Sequence, residues 1–326
     1  MDASAGTAAP LPDDGRLRVL SSRRDLQVPG PIPELAPYVC MTDAALRRAA
    51  DAEHGVFLAE STPVVRRALD AGCRPRSFLV PRRYLESAGV QLADALARYP
   101  EVPVFTGEDE VLTALTGYHL HRGALAAMER PAPLSVDAVL AGARRVLVAE
   151  DLTDPTNLGA IIRSAVALGW DGLLLSPRAA DPLYRRAIRV SMGTVFRLPW
   201  ARAEAWPGEA RGSAPAATSA TPVAEAGAAV PETTRDGLKM LYQAGFAVVA
   251  LEVTDEAVDL DDTALTSLRH AERVALVVGA EGPGVRAETL AVCDAHVKIP
   301  MPAGVDSLNV GAATAVALWE LRSRPV

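Results

Sequence analysis

The chain is short of cysteine, of lysine and of long apolar runs, and each shortage excludes something. Its 326 residues hold three cysteines, Cys40, Cys73 and Cys293, odd in number and widely scattered. They match neither a metal-ligand spacing nor a disulfide framework, and they fit a reducing cytoplasm. The five histidines do not cluster, apart from His119 and His121. No metal site is expected. No apolar run reaches the roughly 20 residues of a membrane span. The start of the chain lacks a basic stretch followed by an apolar core, so neither a signal peptide nor a membrane partner is expected. Lysine occurs only at Lys239 and Lys298, which reads as compositional bias and carries no functional meaning.

What is present is enough apolar material for substantial cores. Hydrophobic residues make up 49% of the chain, and the length suggests about two domains. Net charge is −7, which excludes a uniformly basic nucleic-acid binder. Charge is uneven, however. Arg66, Arg67, Arg74, Arg76, Arg82 and Arg83 lie between Glu60 and Glu86 against few acids. Arg178, Arg185, Arg186, Arg189, Arg197 and Arg202 surround a single acid, Asp181. Such arginine-rich faces are compatible with phosphate contacts. Taken singly, each is equally well a solvated helix face.

The order of elements reads as α/β. Residues 1–40, rich in Pro, Gly, Asp and Ala, are expected to be a poorly ordered tail. A small unit over 41–130 follows. It has a helix to Ala52, strands near 56–59, 77–80, 102–105 and 124–128, a helix from Ser61 to Ala71 and another over 108–115. Residues 131–144 read as a linker with a short helix. From 145 to 326 a second unit alternates strands (146–149, 172–175, 195–198, 246–251, 274–278, 296–299) with helices (157–168, 181–190, 234–244 and the C-terminal one). Residues 203–233 are Ala, Pro, Thr, Ser, Glu and Gly without hydrophobic period, and read as an insertion.

Three segments carry chemistry. In Asp154-Pro155-Thr156-Asn157-Leu158-Gly159, Asn157 stands where a helix cap is expected, and Arg163 interrupts the apolar helix that follows. A purely structural role is open: Asn157 caps, and Arg163 pairs with Glu150 or Asp151. In Gly279-Ala280-Glu281-Gly282-Pro283-Gly284, a buried strand ends in a glycine-rich turn, the place where open parallel sheets bind ligands. Its glycine spacing is neither a dinucleotide fingerprint nor a P-loop. Glu281 would repel phosphate, so the turn suits a neutral or cationic ligand. In the third segment, Ile299-Pro300-Met301 leads to Ser307-Leu308-Asn309. Ile299 and Met301 could offer an apolar wall to an adenine ring, while Ser307 and Asn309 could cap a helix or turn to a ligand.

In this order and spacing, the three motifs resemble those of the SpoU/TrmH branch of the SPOUT methyltransferases. Between the first and second lies Arg189-Val190-Ser191-Met192-Gly193 with Phe196 and Pro199, which also fits. The resemblance covers about residues 145–323. The preceding unit, ending in Arg122-Gly123-Ala124-Leu125-Ala126, resembles a small L30e-like RNA-binding domain. The insertion at 203–233 departs from the family pattern.

The resemblance implies an S-adenosylmethionine-dependent RNA methyltransferase acting on a ribose 2′-hydroxyl. Its catalytic α/β domain would carry a deep trefoil knot, an exception to the rule against threaded chains, and would form a homodimer. By the same resemblance, Asn157, Arg163, Glu281 and Asn309 form the catalytic cluster. Leu251, Gly279, Glu281, Gly282, Ile299, Met301, Ser307 and Leu308 line the cofactor site. Arg66, Arg67, Arg82, Arg83, Arg122, Arg185, Arg189 and Ser191 meet RNA. Ribosomal RNA is favoured over transfer RNA, because the N-terminal unit resembles a ribosomal protein. A ribosomal antibiotic-resistance site stays open. So do a non-catalytic knotted RNA-binding protein and an enzyme acting on a small molecule.

Overall fold

The computed structural model describes residues 15–21, 32–39, 55–121, 123–208, 236–302, 304–305 and 307–323. The chain divides into two units. One takes residues up to Ala132 together with Leu183–Phe196, and the other takes Pro133–Pro182 and the chain from Arg197 on.

The first unit is a five-stranded mixed sheet. Its strands are β1 (Leu17–Leu20), β2 (Val56–Glu60), β3 (Pro75–Pro81), β4 (Val104–Gly107) and β5 (Leu125–Glu129), in the order β1-β4-β3-β5-β2. The pairs β1/β4 and β4/β3 are parallel, and β3/β5 and β5/β2 antiparallel. Leu58, Leu79, Phe105, Leu125 and Ala127 build its core. The helix Thr62–Asp70 begins with Pro63 in its first turn, where the missing N–H costs nothing. A helix not foreseen above, Leu85–Arg98, buries Ala88, Gly89, Leu92, Ala95 and Leu96 on one face, a period of three to four that was legible.

The expected disordered tail needs correction in two places. Leu17–Leu20 pairs with β4 as an edge strand. Tyr38 is completely buried, donating to the Ser77 carbonyl at 2.8 Å and accepting from the Ala127 amide at 3.0 Å. Three residues, Leu20, Leu35 and Tyr38, join the core through long-range pairing that local composition does not register. The expected helix to Ala52 lies outside the described residues.

The second unit is a seven-stranded sheet of β6 (Arg145–Ala149), β7 (Gly172–Leu175), β8 (Trp200–Arg202), β9 (Ala247–Leu251), β10 (Val258–Asp259), β11 (Val274–Val278) and β12 (Ala295–Lys298). The order is β10-β12-β9-β11-β6-β7-β8, and every pairing is parallel. Its central strands are unbroken apolar runs, as parallel strands covered on both faces require: Val146–Val148, Leu173–Leu175, Val248–Ala250 and Val274–Val277 are fully buried. The strand expected over 195–198 is instead a 3₁₀ turn, Thr194–Arg197, and β8 begins at Trp200. Met192 and Gly193, both at positive φ, turn the chain ahead of it. The expected insertion also begins later than its composition indicates. Ala203 and Trp206 are buried core residues, and the region from 209 to 235 lies outside the described residues. Among the described residues no helix is long and apolar enough to cross a membrane.

The C-terminal helix Val310–Leu321 packs on the helix Pro155–Ala167, and its far end is tied down. Trp170 Nε1 donates to the Leu318 carbonyl at 3.1 Å. The buried Arg145 guanidinium donates to the Leu321 carbonyl at 2.7 Å, and to the carbonyls of Ala271, Glu272 and Arg144 at 3.0–3.1 Å. A cation at a helix C-terminus also answers the negative end of the helix dipole. Arg145→Met keeps the aliphatic stem but leaves these carbonyls unpaired. It should lower the unfolding free energy by roughly 3 kcal/mol, measured by urea denaturation. A loss under about 0.5 kcal/mol would remove Arg145 as an anchor.

Candidate active site

Four neighbouring strands, β12, β9, β11 and β6, present their carboxyl ends side by side, and the three chemistry-bearing segments leave from them. The turn after β11 is closed by backbone. Gly284 N donates to the Ala280 carbonyl at 2.9 Å, and a Cβ on Gly279 would sit 2.1 Å from the Gly284 carbonyl carbon. Only glycine tolerates that approach. Gly284 itself is at φ +69°, with Glu252 Oε2 2.1 Å from where its Cβ would stand. The tight base leaves Glu281 exposed at the tip.

Asn309 meets that tip. It is the N-cap of the C-terminal helix, its Oδ1 accepting from Gly311 N at 2.9 Å. Its Nδ2 donates to Glu281 Oε1 at 2.8 Å and to Asn157 Oδ1 at 3.4 Å. Gly311 permits this by lying close to the neighbouring helix, where its Cβ would be 3.2 Å from that of Ala160. Asn157 is not the cap expected above. Asp154 caps the helix, accepting from Thr156 N at 2.8 Å, and Pro155 opens it. Asn157 therefore sits inside the first turn, buried, with its amide free to face Asn309.

Asn157, Glu281 and Asn309 thus come together. Arg163 does not join them by any hydrogen bond. It is exposed, and it makes no ion pair with a described residue. The structural alternative for it also fails, because Glu150 and Asp151 are held by other groups. Glu150 is bonded by Trp206, Thr289 and Arg286, and Asp151 by Arg178 and Ser176.

A cavity of about 360 Å³ opens at the same strand ends, within the range of small-molecule sites. Leu251, Gly279, Glu281, Gly282, Ile299, Met301, Ser307 and Leu308 all line it, as does Asn309. Sequence reasoning missed Glu252, Val253 and Lys298, which also line it. Each sits at or just past the end of β9 or β12, a position that marks ligand sites in parallel sheets and could have flagged them.

The expected RNA-contacting residues fare unevenly. Arg66 pairs with Asp70 at 3.0 Å and Asp94 at 3.5 Å, Arg82 with Glu108 at 3.4 Å, and Arg83 with Asp109. These are exposed pairs of small energetic value, so the cations stay available. Arg67 donates to the Met192 carbonyl. Two expectations are corrected. Ser191 is fully buried and bonds the Ile188 carbonyl at 3.0 Å, so it presents nothing to RNA. Arg185 is half-buried, forked onto Glu60 Oε2 at 2.8 and 2.9 Å and stacked over Tyr118 at 4.0 Å, so its charge is already answered. Arg189 is exposed, and Arg122 lies outside the described residues.

Two groups near the site have displaced pKa values. Burial pushes the Cys293 thiol up to about 12, with Glu150 and Asp294 adding to it, which leaves an inert thiol. At Asp151, burial opposes ionisation, but hydrogen bonds from Arg178 and Ser176 and the charges of Arg286 and Arg178 prevail, holding the carboxyl below its usual range. Asp151 is at φ +49°, a left-handed conformation that aspartate tolerates. Ser176 Oγ secures it, accepting from Asp151 N and donating to Oδ1, both at 2.8 Å.

The pattern of the SpoU rRNA Methylase family matches residues 144–211 and 213–319. A Mycobacterium tuberculosis protein named as an uncharacterized tRNA/rRNA methyltransferase is 38% identical over 265 residues, spanning 81% of this chain and 80% of that one. Among solved structures, the AdoMet-bound rRNA methyltransferase from Sinorhizobium meliloti superposes with a TM-score of 0.66 over 94% of this chain and 98% of that one. At 23% identity that likeness is one of fold. A structure described as an RNA 2′-O ribose methyltransferase is 25% identical, with a TM-score of 0.63 over 93% of this chain and 98% of that one.

Asn309→Ala removes a cap and the donor that joins Glu281 to Asn157. It should cost about 1 kcal/mol of stability, read by thermal or chemical unfolding, and unchanged stability would refute the capping role. For Asp151 the folded pKa is lowered, so its contribution is present above the unfolded value and lost as pH falls through the folded one. The stability difference between wild type and Asp151→Asn should be widest above about pH 4 and should close on further acidification. A difference that is flat with pH would contradict this.

Proposed function

The chain belongs to the SpoU rRNA methylase family, and from that premise we propose that it transfers a methyl group from S-adenosylmethionine to a ribose 2′-hydroxyl of RNA. Ribosomal RNA is the favoured substrate. The observation that carries the reading is the junction of Asn309, Glu281 and Asn157 at the edge of a cavity suited to the cofactor.

The lining residues fit that cofactor chemically. Leu251, Ile299, Met301 and Leu308 supply an apolar wall for a purine ring, and the loop and strand-end backbones supply polar groups around it. Two carboxylates, Glu252 and Glu281, stand on the lining and suit a cationic centre. When bound, S-adenosylmethionine supplies the electrophilic methyl group. The protein's own part is positioning, which contributes much of the rate of an in-line displacement. Asn309 fixes Glu281 and Asn157 relative to each other, so the polar groups are aligned before substrate arrives.

Arg163 is read as an electrostatic positioner. A guanidinium with a pKa above about 12 is a poor base. Exposed and without a described partner, it is free to hold a phosphate or the ribose hydroxyl and to stabilise developing negative charge. The N-terminal unit is read as an L30e-like RNA-binding domain, with Arg66, Arg67, Arg82, Arg83, Arg122 and Arg189 as phosphate contacts. The catalytic domain is read as knotted, and as the homodimerisation unit of a cytoplasmic enzyme. Val316 and Trp319, both exposed on the C-terminal helix, support the dimer.

Calorimetric titration with S-adenosylmethionine, followed by transfer of labelled methyl to bulk ribosomal RNA and nucleoside analysis, tests the reading. Label recovered on a base rather than on ribose would overturn it. Arg163→Ala should lower kcat by about 10²–10³-fold with cofactor affinity nearly unchanged. Arg163→Lys should not restore the rate, because it keeps the charge and loses the planar fork. Near-full activity in the lysine variant would exclude that role.

A further inference from the structure

Two carboxylates, Glu150 outside the cavity and Glu252 on its lining, grip the exit of the Gly279–Gly284 turn from opposite sides. β11 lies between β6 and β9. Glu150 is the residue after β6, and Glu252 the residue after β9. Glu252 Oε2 accepts from Val285 N at 2.7 Å, and its Oε1 accepts from Val253 N at 3.1 Å. Glu150 Oε2 accepts from the next amide, Arg286 N, at 2.9 Å. Consecutive backbone amides are thus bound by charges rooted in the two flanking strands.

Glu150 is an expensive residue in this place. It is fully buried, and an unpaired buried carboxylate is strongly disfavoured. Its Oε1 gathers Trp206 Nε1 at 2.6 Å, Thr289 Oγ1 at 2.5 Å and Arg286 Nε at 3.2 Å. Four donors from three residues in two parts of the chain therefore converge on one carboxylate, and charge-assisted bonds of this kind fix geometry tightly. Glu150 does not line the cavity. What it holds is the segment that closes the turn, and the base of the turn is itself locked by the contact of Gly279 with Gly284. With both ends fixed, the position of Glu281 towards Asn309 follows.

We propose that Glu150 is a positioning residue of the active site, and that with Glu252 it clamps the exit of the 279–284 turn so that Gly279 and Glu281 hold the cavity wall in its binding geometry. This rests on the functional reading above only for what the cavity binds. The clamp itself is a property of the chain alone.

The test uses the full chain and Glu150→Gln and Glu252→Ala variants, with folding verified by near-ultraviolet circular dichroism. Glutamine at 150 places an amide N–H₂ where one oxygen stood, so one of the four donors faces a donor. Hydrogen–deuterium exchange without ligand should show peptides covering 279–286 exchanging about tenfold faster in each variant, the loss of a charge-assisted backbone bond. Peptides from β6 and β9 should be unchanged. Glu150→Gln should also bind S-adenosylmethionine about tenfold more weakly and lower kcat, which a purely stabilising residue would not do in protein that remains folded. Unchanged exchange, or faster exchange with wild-type affinity and kcat, overturns the proposal. If Glu150→Gln does not fold, exchange in Glu252→Ala decides, since that side chain is only half-buried. Wild-type protein that fails to bind S-adenosylmethionine overturns the functional reading instead, and the exchange result still decides the clamp.

Discussion

One amide side chain sets the geometry of the site. Asn309 uses its oxygen to cap a helix and its nitrogen to reach Glu281 and Asn157. The two ends of the amide are not interchangeable here. Rotating it would turn the oxygen towards the Glu281 carboxylate and the N–H₂ towards the Gly311 N–H, leaving like against like at both contacts. The capping requirement therefore selects the orientation that serves the cluster. A residue that a helix needs for local reasons is the same residue that joins three segments far apart in the chain.

That junction works only because its parts stand on rigid supports. A parallel sheet sends all its carboxyl ends in one direction, and the order β12-β9-β11-β6 puts the four strands that matter next to one another. Their fully apolar centres resist sliding, since a shift in register would break the ladder on both sides at once. The C-terminal helix is secured at its far end by Arg145 and Trp170, so its N-terminus, and with it Asn309, cannot drift. Closing loops over such long stretches of chain costs entropy. The burial of the central strands offsets that cost, and the polar cluster does not have to.

How much of this was legible in the sequence varies with the range of the interaction. The buried strands of the second unit were readable as short apolar runs, and the three motifs as polar residues and glycines at strand ends. Asn157 was read as the cap and Asp154 passed over, because both residue types cap helices and only the backbone decides which one does. Charge counting within a window misjudged Arg185, whose partner Glu60 lies far off in the chain. It also passed over Glu252 and Lys298, which are unremarkable in sequence and meaningful only beside their neighbours in the sheet. Tyr38 was hidden for the same reason: its partners, Ser77 and Ala127, are supplied by strands much later in the chain.

The distribution of charge around the cavity argues for a division of labour. The acids there are already engaged, Glu281 by Asn309 and Glu252 by backbone amides. Set against the single cation Lys298, the two acids leave the lining net negative, which favours a cationic ligand over an anionic one. A polyanion such as RNA is poorly suited to that lining and needs positive charge placed elsewhere. Arg163 leaves the same helix as Asn157 but stands outside the cluster, exposed and without a described counter-charge. On the function proposed above, carboxylates face the small ligand and the exposed Arg163 guanidinium faces the phosphate chain, which separates the two binding demands in space. Holding Arg163 apart from Glu281 is then what keeps each charge available, since an ion pair between them would cancel both.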